Sequence, residues 1–184
     1  MLGEVCRQAT RMQLRVASGK CEPIRQVNPG APVIAALRTG RSPLADAGEY
    51  AQIVELAGQP LLLAERIAAV IECAVAAGPV LVSLDDWQWA DQVSRFIMRT
   101  LPGRLIGLPV VWLFASRDDD VFADLAGSVP GSIDHIQLAP LTSADLAAIA
   151  KDRLGHAPDE RTLSFLTAGA GNPLLATQIV DDLA

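Results

Sequence analysis

Two short apolar runs dominate the middle of the chain. Val80 to Leu84, with Ser83 its one polar residue, and Pro109 to Ala115 are near-continuous apolar runs, the mark of parallel strands covered on both faces. Ahead of the first run, Pro60 to Ala77 is nearly apolar all round, which predicts a largely buried helix that Gly78-Pro79 terminates. Leu2, Val5, Cys6, Ala9 and Met12 recur at helical spacing, so residues 1–13 read as the end of a helix. That helix has no capping residue ahead of it, which leads us to expect a chain that opens inside an element. Leu14 to Ala17 reads as a short strand, Pro32 to Leu37 as a short helix with Pro at its start, and residues 49–58 are ambiguous. Asp91 to Leu101 is a helix. Asp118 to Ala126 is another, with acidic residues where the helix dipole favours them. Ile133 to Leu138 alternates apolar and polar and predicts a third strand of this region.

Beyond Pro140 the pattern turns wholly helical, with segments Thr142–Leu154, Pro158–Ala168 and Pro173–Leu183. The expected organisation is an α/β layer over 1–139 and a helical subdomain over 140–184. Apolar residues make up 51% of the 184 positions and aromatics only 4%, so Leu, Val, Ile and Ala must fill the core.

Charge narrows the functional classes. The net charge is −6, and of fifteen basic residues only Lys20 and Lys151 are lysines. With no basic run, direct DNA or RNA binding by this chain is not expected. Cys6, Cys21 and Cys73 are odd in number and form no CxxC pair, which suits free thiols in a reducing cytoplasm. No signal peptide is visible, because the first dozen residues carry Glu4, Arg7 and Arg11, and no membrane span, because Glu65, Arg66 and Glu72 interrupt the longest apolar stretches.

The segment Pro79-Val-Leu-Val-Ser-Leu-Asp85-Asp86-Trp87-Gln88-Trp89-Ala90-Asp91 carries the most chemistry. An apolar strand delivers two carboxylates at its carboxyl end, where open α/β sheets bind ligands. One carboxylate could hold Mg²⁺, and its neighbour could polarise a water for attack on a phosphoryl group. The same pair could also be solvated turn residues capping the next helix. Other chemistries fail on spacing. Gly40-Arg-Ser42-Pro-Leu44 lacks the last Gly of a nucleophile elbow. His135 and His156 stand in no metal-binding motif. Gly169-Ala-Gly171 is not a dinucleotide fingerprint.

The Asp85-Asp86 segment resembles the Walker B stretch of the large ATP-binding LuxR-type transcriptional regulators and related STAND ATPases. Their pattern is four apolar residues, Asp-Asp, an apolar residue, His, Trp, Ala, Asp. This chain departs at Trp87 and at Gln88, where His is usual. Further matches follow in order. Val110 to Arg117 resembles the next strand with its sensor, although Ala115 stands where the family has Thr. Leu138-Ala-Pro-Leu141 with Asp145 resembles the opening of the helical lid, and Ala168 to Leu174 resembles a Gly-Asn-Pro motif.

The resemblance implies a P-loop NTPase-like (ASCE) parallel sheet followed by a helical lid. It implies Asp85 as the Mg²⁺-associated residue and Asp86 as the acid that orients water. It further implies Arg117 near a γ-phosphate, Asn172 and Pro173 near adenine, and ATP with Mg²⁺ as cofactors. A signal-responsive transcription regulator with ATP or ADP bound in the intact parent is the implied setting. A non-catalytic interaction piece or an inactive gene product is the alternative.

The P-loop GxxxxGK[ST] is missing. Gly19-Lys20 has Leu14 where the first Gly belongs and is followed by Cys21, and Lys151 lies within a helix. We therefore expect a chain lacking the P-loop and its strand, starting just downstream of both and not ATPase-competent alone. Two strands deprived of their partner would be left with open edges, which predicts marginal stability or self-association.

Overall fold

The computed structural model of the chain describes residues 2–23, 28–118, 125 and 133–183. The chain divides into two compact units, with the division after Ile133.

The first unit is α/β: a three-stranded parallel sheet flanked by helices. It opens with α1 (Leu2–Arg11), then β1 (Arg15–Lys20), α2 (Ala31–Ala36), α3 (Ala47–Glu55) and α4 (Pro60–Val75). It continues with β2 (Val80–Asp85), a single 3-10 turn at Trp87–Trp89, α5 (Gln92–Arg104) and β3 (Val110–Phe114). The strands lie in the order β1-β2-β3. The register sets Arg15 beside Val80 and runs to Lys20 beside Asp85, while Val80 faces Val110 and Leu84 faces Phe114. Parallel neighbours require a crossover between them, and the helices supply it.

Alternation along β2 sorts its side chains. Val80, Val82 and Leu84 join the main core with Leu63, Ile67, Ile71, Ile97, Met98 and Leu101. Leu81 and Ser83 point to the other face by the period of two, and both are buried. That double burial is why β2 reads as an apolar run rather than an alternating one. Burying one leucine-sized side chain contributes roughly 2 kcal/mol, so the buried leucines and isoleucines of α4 and α5 are a large part of this unit's core.

Local signals place the helix starts. Asp46 and Glu49 form a capping box that opens α3, the element left ambiguous by periodicity. Pro60 begins α4, as its missing N–H allows. Asp91 caps α5, with its carboxylate accepting from the backbone of Val93 and Ser94.

The second unit is helical: α6 (Ser143–Leu154), α7 (Glu160–Ala168) and α8 (Pro173–Leu183). Its own small core holds Leu146, Ala150, Leu166, Ala176 and Val180. Thr142 and Asp145 form the capping box of α6, and an Arg153–Asp181 ion pair ties α6 to α8.

The strand expected at Ile133–Leu138 is a correction. These residues join no sheet among the described residues, and Ile133, Ile136 and Leu138 are exposed. Alternation only makes a segment able to lie on a half-buried sheet; without a paired neighbour it has no ladder to form. The helix expected over Asp118–Ala126 lies almost wholly outside the described residues. Among the described residues no helix is long and apolar enough to cross a membrane.

Candidate functional site

The carboxyl ends of all three strands converge on Asp86. Asp85 is the last residue of β2, and Asp86 follows in the left-handed region with φ 51° and ψ 42°. A non-glycine residue there is strained by about 1 kcal/mol or more, and Asp tolerates it better than most. The surroundings hold the turn in place. Asp86 N–H donates to Asp85 Oδ1 at 2.9 Å. Trp87 N–H donates to the Ala115 carbonyl at 2.8 Å, which pins the turn to the end of β3. Trp87 is buried, and its ring lies 5.1 Å from that of Phe114. The departure of this chain at Trp87 is therefore a packing residue wedged between the turn and β3.

Three donors surround the Asp86 carboxylate. Lys20, the last residue of β1, brings its Nζ within 3.2 Å of Oδ2. Gln88 Nε2 donates to Oδ1 at 3.2 Å. Arg117 Nε lies 3.9 Å from Oδ1. Partial burial pushes the Asp86 carboxyl upward, but hydrogen bonds from Lys20 and Gln88, with the charges of Lys20 and Arg117, outweigh it. The acid is held below the usual carboxylate range. Lys20 and Arg117 are both largely exposed, so the pairs contribute little to stability.

Gln88 extends the network to β3. Its Oε1 accepts from Ser116 Oγ and from the Arg117 backbone N–H, each at 3.2 Å. One amide side chain thus links the acid after β2 to the loop after β3. Behind the turn, Asp91 Oδ2 accepts from Ser94 Oγ at 2.6 Å. Cys21 is buried nearby, its N–H donating to the Asp85 carbonyl at 3.0 Å. Burial, reinforced by the Asp91 charge, pushes its thiol up to about 12, so it is an inert core residue rather than a nucleophile.

Of the residues expected in a site, Asp85, Asp86 and Arg117 come together in the first unit. Arg117 faces Asp86. Asn172 and Pro173 belong to the second unit, where Asn172 Oδ1 accepts from Leu174 N–H at 2.9 Å and Leu175 N–H at 3.3 Å. Asn172 is thus a helix cap, and Pro173 is the first residue of α8. Lys20, Gln88 and Ser116 are the members that sequence reasoning misses. The signal for Lys20 is its place at the end of a strand next to β2.

The donor set does not by itself fit a Mg²⁺-nucleotide. Asp85 offers a carboxylate, but Asp86 is already engaged by Lys20, Gln88 and Arg117. Among the described residues no group of three or more His, Cys, Asp or Glu could hold a metal. No family model, no curated protein and no solved structure matches the chain.

Proposed function

We propose that this chain is the acidic, Walker B half of an ATP-binding regulatory module of the STAND/AAA+ type, and that it does not hydrolyse ATP by itself. The single observation that supports this reading is the place of Asp85 and Asp86. They stand side by side at the carboxyl end of the middle strand of a parallel sheet, with Lys20 at the end of β1 and Arg117 just after β3 reaching Asp86. Such crevices are where α/β sheets take ligands. The phosphate cradle of GxxxxGK[ST] has no counterpart in the sequence, so tight nucleotide binding would need residues from elsewhere. Transcriptional regulation in a cytoplasmic parent extends the same reading.

One observation favours a second reading, a non-catalytic interaction piece. The Asp86 carboxylate faces the charges of Lys20 and Arg117 and accepts a hydrogen bond from Gln88, as in a structural network rather than an acid waiting for water. A calorimetric titration of the folded chain with Mg²⁺·ATP, with Asp85→Ala beside it, separates the two. Saturable binding lost in the variant supports a retained nucleotide site. A folded chain that takes up no nucleotide at millimolar concentration supports the interaction piece and removes nucleotide binding from the isolated chain.

A further inference from the structure

A cavity of about 360 Å³ opens beside the end of β1, between α2 and α3. Its lining includes Pro32, Ile34, Tyr50 and Val54, with the polar side chains of Asn28 and Lys20. The volume falls in the range of small-ligand pockets, and the composition matches them: mostly apolar walls with a few polar groups that fix orientation. The position also fits, since Lys20 is at the carboxyl end of a parallel strand. Tyr50 is held in place by the Arg38 guanidinium, 5.5 Å from its ring centroid.

We infer that this cavity is a binding site for a small monocarboxylate with an aliphatic or aromatic body, whose carboxylate pairs with Lys20. The apolar wall selects the body. The charge follows from the polar groups: among the described residues of the lining, Lys20 is the charged one, and it is a cation. Its ammonium carries three donors, and the contact with Asp86 at 3.2 Å occupies one side of it. The outward side remains open, since Lys20 is 60% exposed. A neutral ligand would offer the donors not taken by Asp86 no charged acceptor, which a carboxylate does. A dianion would bring a second negative charge towards Asp86. The site depends on the α2–α3 walls and Lys20, not on nucleotide binding, so the ATP titration and the test below fail independently.

The test uses the isotope-labelled full chain and backbone amide NMR. Hexanoate, isocaproate and hydrocinnamate are titrated, each beside its matching primary amide. The expected result is saturable shifts at Tyr50 and Val54, with at least one acid bound about tenfold more tightly than its amide. Lys20→Met should erase that difference while the apolar body still binds. Ala35→Phe, at an exposed position of the lining, should fill the cavity and abolish the shifts while leaving the rest of the spectrum in place. The inference is overturned if no acid gives saturable shifts at these amides, or if acid and amide bind alike. A preference for acid over amide that survives Lys20→Met, or acid binding that survives Ala35→Phe, would overturn it as well.

Discussion

The Asp91 carboxylate joins two segments far apart in the chain: its Oδ1 accepts from the Gly30 N–H at 2.9 Å while also capping α5. Gly30 has φ 77°, a conformation that favours glycine, and a Cβ there would meet Leu63 Cδ2 at 3.1 Å and Val93 Cγ1 at 3.3 Å. The two residues hold the start of α2 against the start of α5. The final Asp of the Trp-Ala-Asp sequence is thereby a structural clamp under the candidate site.

Asp91→Ala removes a cap and a tertiary hydrogen bond together. Loss of the cap costs about 1 kcal/mol, and the partly buried Gly30 N–H left without its acceptor adds about 1 kcal/mol more. The expected destabilisation, roughly 2 kcal/mol, is measured by urea unfolding. Asp91→Asn keeps a cap oxygen and should lose less than half of that. Equal losses in the two variants would show that charge, not geometry, matters here.

The strands and long helices are legible in the sequence because burial on both faces leaves an apolar run, as in β2, and an apolar stripe marks α4. The residues that complete the site are not. β1 continues through Ser18, Gly19 and Lys20, a stretch with no apolar pattern, because its ladder with β2 extends to Lys20 beside Asp85. Pairing, not hydropathy, carries Lys20 to Asp86, and a search for a P-loop lysine weighs only its sequence neighbours. α3 is hidden by weak periodicity, yet its Asp46-x-x-Glu49 box was a readable signal. Ile133–Leu138 shows the converse: alternation without a partner strand among the described residues.

The acidity of Asp86 makes a pH prediction. Its folded value lies below its unfolded one, so the network contributes stability above the unfolded value, and that contribution is lost as pH falls through the folded value. Carboxyl-carbon NMR should find Asp86 titrating at lower pH than an ordinary aspartate. Lys20→Met and Gln88→Leu should each move it up, because each removes a hydrogen bond to the charged form. An Asp86 titration unmoved by both substitutions would break the assigned network.

Gly171 is the conformational key of the helical unit. It has φ 74°, its carbonyl accepts from Leu141 N–H at 2.9 Å, and an added Cβ would stand 2.5 Å from the Leu141 carbonyl oxygen. Backbone cannot yield as a flexible side chain does. Gly171→Ala should cost about 1–3 kcal/mol, read as loss of amide protection in α6 to α8 with α4 and α5 unaffected. Gly155→Ala is the control, since it has a similar φ with nothing within 4 Å.

The three thiols should separate kinetically. Cys73 is exposed, Cys6 half-buried and Cys21 buried, with the Cys21 thiol pushed up to about 12 by burial and the Asp91 charge. At pH 8 a thiol reagent should label Cys73 promptly and Cys21 only on unfolding. Prompt labelling of Cys21 in the native chain would mean that the packing around Cys21 opens readily.

The edge of the sheet bears on association. Among the described residues β3 pairs with β2 alone, and Val111 on it is 52% exposed. An exposed apolar edge strand is a template for pairing with another chain, which motivates the proposal that the isolated chain self-associates. Sedimentation velocity across a concentration series should show growth of larger species. Val111→Lys should suppress them, because a charged edge position opposes pairing at little cost to a half-exposed site. A chain that stays monomeric at every concentration and melts sharply at high temperature would sink the proposal. Association that persists in Val111→Lys would shift the interface away from β3, leaving the exposed apolar residues of the helical unit, Phe165 and Leu174 among them, as the surface to substitute next.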